Sequence, residues 1–299
     1  MATPPTDRET RLRQGAERLA GGLPPLLVAA ERIAVTVTQG VHGRRRTGSG
    51  DSFWQFRRYH VGDPAQVIDW RQSGKSQKLF VRENEWDAAE SVWLWHDASP
   101  SMRFRSETGE TEKQERAAVL LLALASLLTR AGERVGLLGE DRRAVSGRVA
   151  LNRVASALQD ALDQPRLGPS LPPMQPLPRH AQVVLASDFL APWPQIEASL
   201  AAIAAQGVRG HILQVLDPAE ADLPFRGRAR FEGMEGEGGL TVGRIEGLRQ
   251  AYLDRLAALR DSLVALCRRM GWSCAFHRTD RPPQLALLSL YGALAREVV

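Results

Sequence analysis

Asp97, Ser99 and Ser101 stand at i, i+2 and i+4 within the stretch SVWLWHDASPSMRF, residues 91–104. An acid followed by two hydroxyls at alternate positions can turn three oxygens toward one point in a tight loop. A second acid, Asp188, follows another apolar run, AQVVLAS at 181–187. Such an all-oxygen set suits a hard divalent ion, Mg²⁺ or Mn²⁺, held octahedrally at ~2.0–2.1 Å in the case of Mg²⁺. Hydroxyls are neutral, and one or two carboxylates do not quench a charge of +2. The ion would keep a place for a carboxylate from a partner protein, which favours recognition over chemistry. The same residues also fit a plain structural turn, with Asp97 and the serines capping the helix that follows.

For Asp97 and Asp188 to meet, the intervening elements must bring them to a common edge. SVWLWHD reads as a short apolar strand, and TEKQERAAVLLLALASLLTRAG (111–132) as a long, largely buried helix. RVGLLG (134–139) is a strand, and LNRVASALQDAL (151–162) a helix with Leu151, Val154, Leu158 and Leu162 on one face. A proline-rich loop at 164–178 leads to AQVVLAS, a strand, then WPQIEASLAAIAAQ, a helix, and HILQVLD (211–217), a strand. RGRARFEG and GLTVGR pair as a hairpin. A helix over 246–270, the strand WSCAFHR and the helix PQLALLSLYGALARE close the chain. Apolar strands alternating with helices predict an α/β fold, a mostly parallel sheet with helices on both faces. Ligands bind such sheets at the carboxyl ends of the strands, where Asp97 and Asp188 both fall.

The first part of the chain follows no such period. Residues 8–40 read as two helical pieces broken at Gly21–Gly22 and Pro24–Pro25, and 54–86 as short strands separated by turns. The expected organisation is an irregular extension, 1–87, packed on a main domain, 88–299. In the GDP turn and IDWR block, Asp63 and Asp69 have abundant arginines with which to pair and so fasten the extension.

Composition narrows the function. With 43% hydrophobic and 24% charged residues the chain is an ordinary globular protein. Cys267 and Cys274 form no CxxC and read as reduced thiols. The longest apolar run, AAVLLLALASLL at 117–128, falls short of the ~20 residues a bilayer needs, and the N-terminus has no signal core. The expectation is a cytoplasmic protein without a transmembrane segment. Net charge is +5, carried by 36 arginines and three lysines. Arg44, Arg45, Arg46, Arg57, Arg58, Arg71, Lys75, Lys78 and Arg82 form a dense basic stretch. It has no recognition helix or aromatic stacking module, so nucleic acid is not expected as a partner. A basic binder of nucleic acid or membrane surface stands as the third reading of the chain.

Other signals fail on inspection. SGKS at 73–76 lacks the glycine a P-loop needs at position 69, where Asp69 stands. DASPS lacks the second acid of aspartate phosphatases, and no G-x-S-x-G elbow is present. These gaps weigh against the second reading, a metal-dependent hydrolase or phosphatase. His96 faces the opposite side of the strand from Asp97 and reads as a buried, hydrogen-bonded histidine rather than a base.

D-x-S-x-S after one apolar strand, with an acid after a later one, resembles the metal-ion-dependent adhesion site of von Willebrand factor type A domains. The flanking blocks are more specific. HGRRRTGSGDSFWQFRRYHVGDPAQVIDWRQSGKSQKLFVRENEW, then VWLWHDASPSM, SDFL at 187–190 and LQVLDPAEADLP at 213–224 resemble the bacterial domain of unknown function 58 family. The resemblance implies a von Willebrand factor A-like, Rossmann-like domain with Asp97, Ser99, Ser101 and Asp188 as ligands of Mg²⁺ or Mn²⁺. It further implies a non-enzymatic, chaperone-like adaptor that binds a MoxR-type AAA+ ATPase or its client protein. Adhesion sites usually add a threonine hydroxyl, yet no threonine lies between Thr129 and Asp188. Ser146, Asn152 or water is expected to take its place.

Overall fold

The structure, a computed structural model, describes residues 30, 32–35, 47–59, 68–75, 78–85, 91–163, 170–236 and 238–296. Of the helical reading of 8–40, residues 30 and 32–35 are described and helical, and the rest of it lies outside, as do Arg44, Arg45, Arg46 and Asp63. The chain divides into two compact units, residues 41–89 and the remainder.

In the smaller unit β1 (Thr47–Arg58) pairs antiparallel with β2 (Phe80–Glu85), with irregularities on either side of Phe53. Between them lies one helical turn, α1 (Trp70–Ser73). The IDWR block builds that turn: Asp69 N–H donates to Phe80 O at 2.9 Å, and Ser73 Oγ accepts from Phe80 N at 2.9 Å. Arg58, Arg71, Lys75 and Lys78 are exposed.

The larger unit contains β3 (Ser91–His96), α2 (Lys113–Arg130), β4 (Arg134–Leu137), α3 (Gly147–Asp163), β5 (Gln182–Ser187) and α4 (Trp193–Ala204). There follow β6 (Arg209–Leu216), α5 (Pro218–Asp222), β7 (Ala229–Glu232), β8 (Gly239–Val242), α6 (Glu246–Met270), β9 (Ser273–Arg278) and α7 (Pro283–Arg296). The strand–helix alternation is as the sequence predicts. Two features were not anticipated: α3 starts at Gly147, a turn earlier, and α5 is an added short helix.

Five strands form one sheet in the order β4-β3-β5-β6-β9, every neighbouring pair parallel. Every residue of β5 is buried, which is why QVVLAS is a continuous rather than alternating apolar run. α2 is buried almost all round and packs on the sheet and against α3 and α7, as its unbroken apolar run requires. A core including Trp93, Val183, Leu185, Leu200, Ile212 and Leu263 fills the space beneath α4 and α6. The chain runs from β3 outward to β4, then returns to β5 and proceeds the other way. The sheet therefore has its topological switch point between β3 and β5. Among the described residues no helix is long and apolar enough to cross a membrane.

One close approach in this core gives a prediction. A Cβ added at Gly210 would overlap the ring of Trp272, which is buried and donates from Nε1 to Val208 O at 3.2 Å. Gly210→Ala is expected to cost about 3 kcal/mol, read by chemical denaturation, because ring and β6 backbone cannot both stay in place.

A buried histidine gives another. His211 Nε2–H donates to Gln182 Oε1 at 3.0 Å, so Nδ1 accepts from the Ser273 hydroxyl at 2.8 Å. Burial, with the charge of Arg209, holds its pKa down to about 4. A folded pKa below the unfolded value stabilises above pH ~6.5 and loses that stability as pH falls toward 4. The difference in stability between wild type and His211→Gln should narrow over this window by about 3 kcal/mol. A difference independent of pH would show that His211 is not held neutral.

Candidate functional site

The carboxyl ends of β3 and β5 meet at the switch point. His96 pairs in register with Ala186, and Asp97 N–H donates to Ala186 O at 3.0 Å. Asp97 and Asp188 are thus brought to one edge, as their positions after two apolar strands predict. The Asp97 carboxylate organises its own loop: Oδ1 accepts from Ser99 N at 2.8 Å and Oδ2 from Ser187 Oγ at 2.6 Å. Ser101 Oγ donates to Asp188 Oδ2 at 2.8 Å. Its proton is then spent, so Ser99 is the donor in the 3.2 Å contact between the two serine hydroxyls. The four residues Asp97, Ser99, Ser101 and Asp188 therefore form one hydrogen-bonded cluster. Asp97, Ser99 and Asp188 are buried and Ser101 half-buried.

The stand-ins for the absent threonine are not at this edge. Val145 bridges to Val135 near the amino end of β4, placing Ser146 toward the opposite end of the sheet from Asp97. Asn152 is exposed on α3.

What the cluster contains instead is a cation. Lys113, the first residue of α2, is 0% exposed. Its Nζ donates to Asp188 Oδ2 at 2.9 Å and to Glu220 Oε1 at 2.6 Å. Burial alone would push the lysine pKa down, but the charges of Asp188 and Glu220 hold it above its ordinary value. The position is otherwise a poor one for a cation, since a helix N-terminus carries positive partial charge. Glu220 is fixed in turn: its Oε2 accepts from Asp217 N at 3.0 Å, while Asp217 Oδ1 accepts from Ala219 N at 2.8 Å, a reciprocal capping box on α5. Asp217 Oδ2 also accepts from Ser106 N at 3.0 Å. Asp188 closes the set, with Leu190 N on Oδ1 at 3.1 Å and Gln214 Nε2 on its carbonyl at 2.9 Å. His96 takes no part: its Nε2–H donates to Gln114 O at 2.9 Å, tying β3 to α2, and burial lowers its pKa.

The donors are the right kind for a hard ion, but an ammonium already stands on one of them. Two unit charges 4 Å apart interact by about 4 kcal/mol at an effective dielectric of 20. At that separation the ammonium repels a divalent ion by about 8 kcal/mol. Glu220 offsets part of that repulsion, but Asp188 Oδ2 is already shared between the Ser101 hydroxyl and the Lys113 ammonium, which leaves it no place for an ion that dehydrates reluctantly. As built, with Lys113 in it, the set does not fit a resident Mg²⁺ or Mn²⁺. Among the described residues no three His, Cys, Asp or Glu side chains group to hold a metal. Asp97 keeps part of its charge unanswered: burial, then the charge of Asp188, raises its carboxyl to about 6.

Several of these residues were not singled out in the sequence. Ser187 and Asp217 sit in blocks that were recognised, and D-P-A-E at 217–220 carries a capping-box signature. Lys113 had one signal, its rarity in an arginine-rich chain.

Known proteins resemble this chain over most of its length. An uncharacterized protein of Mycobacterium bovis is 27% identical over 280 residues, covering 88% of this chain and 86% of the relative. Uncharacterized proteins of two Mycobacterium tuberculosis strains match to the same extent. The crystal structure of a conserved hypothetical protein, BatB from Bacteroides thetaiotaomicron, covers 70% of this chain and 98% of its own. At 15% identity and a TM-score of 0.36 the likeness is too slight to build on. A family model described as "Protein of unknown function DUF58" matches residues 55–262, and with that match spanning most of the chain, the protein belongs to the DUF58 family.

Proposed function

We propose that this chain is a cytoplasmic protein-binding adaptor that presents the carboxyl rim of its sheet to an AAA+ ATPase of the MoxR type, or to that ATPase's client. The single observation that carries this reading is the convergence at the switch point. Asp97, Ser101, Lys113, Asp188 and Glu220, from four separate stretches of chain, are locked into one network where such sheets bind ligands. Beside that network, Leu190 is 42% exposed with its backbone fixed on Asp188, a firm apolar contact on a polar rim. Binding is favoured over hydrolysis by the state of the groups. A nucleophilic serine needs a free base, but the Asp188 oxygen facing Ser101 is also held by the Lys113 ammonium, and His96 is turned to α2.

The test is capture of a MoxR-type AAA+ ATPase from the same organism. Leu190→Asp is expected to reduce capture at least about tenfold while leaving the melting temperature within a degree or so, because an exposed side chain contributes little to stability. Capture equal to wild type would remove this rim from the interface. Phosphatase and esterase substrates turned over by wild type and lost with Ser101→Ala would favour the hydrolase reading instead.

A further inference from the structure

We propose that Lys113 is the resident cation of this rim: its ammonium stands in for a divalent ion beside Asp97, Ser99, Ser101 and Asp188. The inference takes the rim to be the binding site, as above, and makes recognition there independent of metal. The placement is specific. Asp188 Oδ2 accepts from Ser101 Oγ at 2.8 Å and from Lys113 Nζ at 2.9 Å, so the ammonium sits on the very oxygen that an ion bridging Ser101 and Asp188 would occupy. The lysine is fully buried, so it faces the network and not a partner. Its second carboxylate, Glu220, comes from α5 after β6, beyond the D-x-S-x-S loop and the β5 edge.

The choice of residue supports the same conclusion. The chain places arginine at 36 positions and lysine at three, yet among the described residues the cation paired with these carboxylates is a lysine. A compact ammonium with three donors fits between two carboxylates, where a planar guanidinium fork would need more room. The consequence for the rim is that no metal-borne coordination position is offered to a partner's carboxylate. Recognition falls to the side chains around the cluster, such as Leu190.

Mn²⁺ is titrated into the full chain while the electron paramagnetic resonance signal of the free ion is followed, for wild type, Lys113→Ala, Lys113→Gln and Asp188→Asn. Wild type is expected to take up no Mn²⁺ at the rim, and millimolar Mg²⁺ against EDTA should leave its melting temperature unchanged. Removing the ammonium should create a site, with Mn²⁺ bound and a melting temperature that rises with metal until saturation. Mn²⁺ bound by wild type and lost in Asp188→Asn would overturn the proposal, and so would a folded Lys113→Ala or Lys113→Gln that gains no site. If neither variant folds, the wild-type titration decides alone. Capture of the ATPase should be the same with and without EDTA, and capture abolished by EDTA would count against Lys113 as the cation. An absence of capture under both conditions would sink the binding role of the rim, while the Mn²⁺ result would still stand on its own.

Discussion

Lys113→Ala is expected to destabilise the protein by about 3–5 kcal/mol, the largest effect of any single substitution at this site. The substitution leaves Asp188 and Glu220 facing each other in the interior without a cation. The sign depends on which partner is removed. A charge-free set, Lys113→Met with Asp188→Asn and Glu220→Gln, keeps the volume and leaves no buried charge among the three, so it should recover most of the loss. Chemical denaturation of the single and triple variants measures both. A loss below about 1 kcal/mol for Lys113→Ala would mean that the two carboxylates do not depend on the ammonium.

Asp97→Ala comes next, at about 2–4 kcal/mol. Its two carboxylate oxygens accept from Ser99 N and Ser187 Oγ, both buried, and alanine would leave both donors without a partner. Asp97→Asn keeps an acceptor and removes a carboxylate that burial and Asp188 already disfavour. At neutral pH the asparagine variant should match wild type or exceed it. Equal losses for alanine and asparagine would show that the charge of Asp97 is needed in its own right. The acid that the sequence offers as a metal ligand or a cap is a buried organiser of its own loop.

The sheet was legible because its inner strands are buried on both faces: SVWLWH and QVVLAS have no reason to be so apolar unless helices cover them. The two acids were legible because each follows such a strand directly. Lys113 was not, since it lies in the polar lead of a helix whose apolar run begins at Ala117, where charged residues usually face water. Its burial is a fact of tertiary placement, set by Glu220 on an element 107 positions away. Ser146 failed as a ligand for a related reason. Counting residues after β4 could not say that the chain doubles back to pair Val145 with Val135.

The span of the Lys113 contacts bears on how the molecule comes apart. Its ammonium joins residues 75 and 107 positions distant along the chain. Contacts of such separation carry a large closure entropy and form after the local helices and the inner strands have associated. Interactions absent from the folding transition state act on the escape rate from the native state. Loss of the lysine should therefore accelerate unfolding and leave refolding nearly unchanged. The buried ammonium then works as a latch on lifetime: its contribution is to how long the rim stays assembled rather than to how quickly it is reached.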